Sequence, residues 1–161
     1  MSRIAGIVFA AAGVAPPLLR DRMLPKLPGA NPILVTLDGA ALGWQGWSTE
    51  QRASGLFAHA TLQVVLDGQV LNARELRKGL TLPAGDAALI ATLYRQNGFE
   101  GMLSQLVGDF AVAIYDLAAS TLWLGRDRFG VKPLYFVALP SGALAFASQP
   151  GALLALPGVS A

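Results

Sequence analysis

The chain has 161 residues, 53% of them hydrophobic and 14% charged, with a formal net charge of +2, a mean hydropathy of +0.49 and an isoelectric point near 9.3. That is one ordinary domain with a real core, but its charged share falls well short of the usual quarter or so, so the surface is either Ala- and Gly-rich or partly covered by something else. There is no cysteine and a single histidine, which removes disulfides, thiolate nucleophiles and a conventional zinc site, and no basic run with interleaved aromatics speaks for nucleic acid.

In chain order, Ile4–Ala10 reads as a buried strand. Ile4–Ala15 after Arg3 also has the charged-then-apolar shape of a short signal peptide, with Gly13 and Ala15 as small cleavage residues. Pro16-Pro17 is a poor context for cleavage, and the run is too short to span a bilayer. Leu18–Leu24 suits a helical turn or two, and the prolines make Lys26–Pro32 a loop. Ile33–Leu37 and Ala40–Trp47 form a hairpin about Asp38-Gly39, and Ser48–Ser54 is a polar loop. Leu56–Leu66 is β-rich and closes at Asp67-Gly68, a turn signal. Asn72 is placed to cap a helix over Ala73–Leu80, with Glu75 as in a capping box. Asp86 caps the next helix, which ends at Gly98, and Phe99–Leu106 is a third short helix. A final short helix spans Pro150–Leu156.

The most informative stretch is Gly108–Tyr135, GDFAVAIYDLAASTLWLGRDRFGVKPLY. Phe110, Val112 and Ile114 alternate with Ala111, Ala113 and Tyr115, a strand apolar on both faces and therefore mid-sheet. Asp116–Ser120 is a hairpin connection and Thr121–Gly125 the returning strand. Arg126–Pro133 gathers charges and turn formers in one loop, either solvated or ion-paired to lock two strands, and Leu134–Leu139 is a third strand. After Pro140-Ser141-Gly142 comes the strand Ala143–Ala147.

G-D-F-A-x-A-I-x-D, a hairpin and then L-x-R-D-R-x-G-x-K-P-L-Y resembles the signature of the class II glutamine amidotransferase domain found at the N-terminus of glutamine-hydrolysing asparagine synthetases. The likeness continues weakly through Ala147-Ser148, where the family has Ala-Ser-Glu. It implies an α+β fold, a four-layer αββα sandwich of two antiparallel sheets of the N-terminal-nucleophile (Ntn) hydrolase type. The expected organisation is a single domain over 1–161, ending where an ATP-dependent synthetase domain would start.

The resemblance also implies a reaction, hydrolysis of glutamine's side-chain amide by an N-terminal Cys whose own α-amino group is the base. The family start Met-Cys-Gly-Ile-Ala-Gly corresponds here to Met1-Ser2-Arg3-Ile4-Ala5-Gly6, so the nucleophile position falls on Ser2 and Arg3 replaces a glycine. The oxyanion segment Asn-Gly-Glu-Ile-Tyr-Asn corresponds to Asp67–Asn72: Gly68 is retained, but the donor amide has become the carboxylate of Asp67, which accepts where donation is needed. The Arg for the substrate α-carboxylate falls on Gly46, leaving no guanidinium for a bidentate pair. Asp86 matches the residue that receives the substrate's α-amino group. His59 has no nucleophile partner at a recognisable spacing, and Trp44 and Trp47 fit packing better than a pocket.

The expectation is thus a pseudoenzyme, a cytoplasmic domain that keeps the fold, has lost glutamine hydrolysis and docks to an ATP-dependent amide-forming domain or protein. Lasso-peptide cyclases, which would add a precursor peptide as partner, and β-lactam synthetases are families that keep such a domain. No cofactor, metal, nucleic acid or membrane partner is expected. Self-association is open, through an apolar patch near Ala143–Leu156. The rival readings are an active amidohydrolase using Ser2 and a secreted β-rich domain.

Overall fold

The computed structural model describes residues 2–9, 11, 13–48 and 54–160. Among these residues nine strands form two antiparallel sheets, and the alternation of apolar residues along them builds three stacked cores. In the first sheet, β1 (Arg3–Val8) is central, flanked by β3 (Ala40–Gly46) and β9 (Leu144–Ala147), with β2 (Ala30–Leu37) and β8 (Tyr135–Ala138) at the edges. In the second, β5 (Leu62–Val70) and β6 (Gly108–Asp116) lie inside β4 (Leu56–His59) and β7 (Thr121–Arg126).

One face of the first sheet, with Ala5, Ile7, Ala41 and Ala145, is covered by two helices, α1 (residues 15–26) and α4 (Pro150–Leu154). α1 starts as an α-helix at Ala15–Leu18, widens to a π-helical stretch at Leu19–Met23 and tightens to a 3-10 turn at Leu24–Lys26. The opposite face packs sheet to sheet, with Ile4, Leu42, Trp44 and Phe146 against Val65, Ala111, Ala113 and Tyr115. The far face of the second sheet carries Val64, Leu66, Phe110, Val112 and Ile114, covered by α3 (Asp86–Gln105) through Leu89, Ile90 and Leu93. Helix, sheet, sheet, helix is the αββα sandwich of the Ntn-hydrolase type.

β6 is interior, as the doubly apolar alternation predicts. The expected break at Gly98 is present too: its φ of 71° interrupts α3, so two helical segments meet there at a kink. Elsewhere the local signals lose. Asp67-Gly68 is not a turn. It lies within β5, paired with Ala111 and Phe110 of β6. The hairpin turn is instead Ala60-Thr61, between β4 and β5. Ala30 to Pro32, expected as loop, belongs to β2, and a register irregularity between Ala30 and Ile33 accommodates it.

Asn72 holds the N-cap position of α2, which covers only Ala73–Leu76, but its side chain makes no capping hydrogen bond. Its amide is claimed by longer-range partners, donating to the Gln105 carbonyl (2.9 Å) and accepting from the Val107 N–H (3.0 Å). Asp86 is the first residue of α3 and does not cap it; Gly85 holds that position. The expected apolar patch at Ala143–Leu156 is not there. Ala143, Ala145, Phe146, Ala152, Leu153 and Leu156 are all buried, and Leu154 alone of that stretch is a large exposed apolar residue. The polar loop expected at Ser48–Ser54 falls mostly on residues 49–53, outside those described.

Candidate functional site

β1 begins beside the middle of β5, across the space between the two sheets. Along β5, Val64 and Leu66 face α3, so the intervening residues Gln63, Val65 and Asp67 point toward the first sheet. Asp67 is therefore a carboxylate in an inter-sheet core, with 0% exposure. Such a group is tolerated only when its oxygens are satisfied and its charge is matched.

Four side chains do this. Ser148, just past β9, donates its hydroxyl to Oδ2 at 2.9 Å and accepts the Ile4 N–H at 3.0 Å, tying β1, β9 and β5 together. Ser2 donates to Oδ1 at 3.4 Å. Arg3 Nη1 stands 3.5 Å from Oδ2 and also donates to the Ser2 carbonyl at 2.7 Å. Lys132 Nζ, from the loop after β7, is 3.6 Å from Oδ1. Both cationic side chains are largely buried, at 17% and 16% exposure, so solvent screens these pairs weakly.

Gly68 makes the register possible. Its φ is +111°, and a Cβ there would lie 1.9 Å from the Asp109 carbonyl oxygen on β6. Its N–H points inward and donates to Ser2 Oγ at 3.1 Å. The Ser2 hydroxyl is thus held between a backbone donor and a carboxylate acceptor, in a residue only 8% exposed. A carboxylate at this position accepts hydrogen bonds and repels negative charge, so it cannot do an oxyanion donor's work.

Of the other site positions, Gly46 is the last residue of β3. Arg3 pairs with Gln45, so extending the register by one residue sets Gly46 opposite Ser2. Asp86 is held further along β5, its Oδ2 accepting the Val70 N–H at 2.8 Å and its own N–H bonded to Ser54 Oγ at 3.3 Å. It fastens the start of α3 to the end of β5. The structure thus brings Ser2, Asp67 and Gly68 into contact, puts Gly46 beside them by register, and leaves Asp86 bonded to backbone. His59 is an exposed residue of β4 whose Nδ1 lies 3.4 Å from Arg95. Trp44 is buried between the sheets at 1% exposure, whereas Trp47 is 60% exposed.

Arg3, Lys132 and Ser148 are the partners that sequence reasoning did not assign. The available signals were a charge opening an apolar strand, a lysine inside the loop signature and a serine directly after an apolar one. None of them specifies a partner in a different strand. No group of three or more His, Cys, Asp or Glu side chains placed to hold a metal ion occurs among the described residues.

The loop signature has its own organising centre. The Asp127 carboxylate, 5% exposed, accepts the N–H groups of Phe129 (3.1 Å), Val131 (2.9 Å) and Lys132 (3.0 Å). Burial pushes its pKa up, but the backbone donors outweigh that and hold it below the usual carboxylate value. Neither neighbouring arginine forms an ion pair among the described residues. Asp127 closes the loop on backbone, and the strand-locking ion pair is made by Lys132.

Residues 47–155 match a family described as the glutamine amidotransferase domain. The chain is 33% identical over 101 residues to asparagine synthetase (glutamine-hydrolyzing) 2 of Bacillus subtilis, covering 60% of this chain and 13% of that protein. It is 39% identical over 98 residues to a putative asparagine synthetase (glutamine-hydrolyzing) of Methanocaldococcus jannaschii, covering 58% and 17%. With the human asparagine synthetase (glutamine-hydrolyzing) the identity is 37% over 71 residues, covering 44% and 13%. The match takes in only a small part of each relative's length.

Proposed function

The chain belongs to the glutamine amidotransferase domain family, and from that premise we propose that it has lost glutamine hydrolysis and serves as the structural, docking domain of an asparagine-synthetase-type ATP-dependent amide ligase. The observation that carries this reading is the buried Asp67 carboxylate, matched by Arg3 and Lys132 and bonded to Ser2 and Ser148. A working site needs a strong nucleophile, donors for the oxyanion and a cation for the substrate carboxylate. Here the chain has no cysteine, Asp67 takes the donor's place, and Gly46 offers no cation. Arg3 and Lys132 are engaged with Asp67. The same residues now join the two sheets, which makes the former site a structural fastening.

A docking domain without glutaminase activity suits ligases that form an amide from an amine already present in the substrate, as lasso-peptide cyclases and β-lactam synthetases do. The ligase is a separate domain or protein. The second reading, hydrolysis by Ser2, draws on the contacts of its hydroxyl with Asp67 and the Gly68 N–H. These would orient a nucleophile, but they also place a negative charge where the oxyanion would form.

The test is co-purification of the chain with an ATP-dependent asparagine-synthetase-type ligase from the same genome, followed by ATP turnover with glutamine or with a substrate amine as nitrogen source. Co-elution and turnover indifferent to glutamine are expected. Turnover that requires glutamine hydrolysed by this chain would contradict the proposal.

A further inference from the structure

Between the end of α3 and the loop after β7 lies a cleft of about 460 Å³. Leu103 and Leu106 give it an apolar lining, Val107 and Phe129 stand on its two walls, and Arg126 and Arg128 also line it. Both walls are fastened by hydrogen bonds. On one, the Asn72 amide clasps Gln105 and Val107, and Leu71 N–H bonds the Val107 carbonyl at 2.8 Å, so Val107 is held outward at 59% exposure. On the other, Asp127 fixes the turn through three backbone N–H groups, while its own N–H bonds the Phe110 carbonyl at 2.8 Å. Phe129 projects from that turn at 88% exposure.

An exposed aromatic on a fixed turn loses little freedom when it is covered, the property of an interface anchor. Among the described residues the lining contains two arginines and no acidic residue, and neither arginine forms an ion pair. A concave apolar floor beside two guanidiniums that have no ion-pair partner among the described residues is complementary to an apolar side chain flanked by carboxylates. We propose that this cleft is a docking site for a short acidic peptide segment of a partner protein, which inserts an apolar side chain over Leu103 and Leu106 against Phe129 and places its carboxylates on Arg126 and Arg128. None of these residues belongs to the Ser2–Asp67 cluster, so the site does not depend on whether glutamine hydrolysis has been lost.

The experiment is selection of phage-displayed peptides on the whole chain, counter-selected against the Arg126→Glu/Arg128→Glu variant. The best sequence is then synthesised with a fluorescent label and titrated by anisotropy. Expected are sequences with Asp or Glu beside Phe, Leu or Trp, binding that weakens with salt, and a loss of about tenfold or more in the charge-reversed variant and in Phe129→Ser. Should the double charge reversal disturb the fold, Phe129→Ser and Arg128→Gln, both at exposed positions, carry the test. Selection that yields no consensus, a consensus without acids, or a peptide that binds the variants as tightly as the original chain would overturn the proposal.

Discussion

Lys132 Nζ stands 3.6 Å from Oδ1 of Asp67, so a loop residue that leads into one sheet is paired with a fully buried carboxylate in the middle of the other. The pair matters because the alternative is a charge stranded in an apolar core. Asp67→Ala removes the acceptor and leaves Arg3 and Lys132 facing each other, and is expected to cost about 3–5 kcal/mol of stability. Lys132→Met costs less, since Arg3 remains beside the carboxylate. A double-mutant cycle by urea denaturation should give a coupling of about 1–2 kcal/mol between the two positions. Strictly additive effects would show that the pair does not hold the sheets together.

Gly68→Ala tests the register that delivers Asp67 to the core. A methyl group there would meet the Asp109 carbonyl oxygen at 1.9 Å, on a backbone with φ of +111°. A loss of roughly 3 kcal/mol or more is expected, read as a drop in Tm. An unchanged Tm would mean that β5 and β6 do not pair as described.

The four-layer sandwich was implied by the family resemblance of Gly108–Tyr135, whereas the interior place of β6 was legible in the sequence itself, because two-period alternation reports which faces are buried. Phe110, Val112 and Ile114 gave one side of β6 and Ala111, Ala113 and Tyr115 the other, and the structure sets them in two different cores. Asp67-Gly68 was misread because a local turn preference is weak beside nine residues of ladder to β6. Asn72 does stand at the N-cap of α2, but its amide makes no capping bond because backbone 33 and 35 residues away takes it. The site positions could be aligned from the chain, but not the cluster around Asp67. Arg3, Lys132 and Ser148 come from three distant parts of the chain, and only the fold shows that they converge.

Asp127 supplies a pH prediction. Its carboxyl pKa is lowered in the folded chain, so the unfolded state binds a proton more readily. The stability it contributes is present above the unfolded value of about 3.9 and is lost as pH falls toward and through the lower folded value. Asp127→Asn should flatten the acid limb of stability below about pH 4, and Asp127→Ala should cost roughly 2–4 kcal/mol at neutral pH, since buried N–H groups lose a charged acceptor. Acid unfolding curves that superimpose for the original chain and Asp127→Asn would contradict this.

Asn72 clasps the end of α3 to the start of β6 with both halves of its amide. Asn72→Ala should cost about 1–2 kcal/mol and speed hydrogen exchange at the Val107 amide. Asn72→Asp keeps the acceptor for Val107 and loses the donor to Gln105, so it should protect that amide better than alanine does. Equal exchange in the two variants would contradict the clasp.

The central claim, that the glutaminase site has become a structural fastening, is tested most directly by glutamate release from glutamine, with the original chain and Ser2→Ala compared side by side. The account predicts that both release glutamate only at the rate of the enzyme-free control. Release above that control by the original chain, abolished in Ser2→Ala, would contradict it.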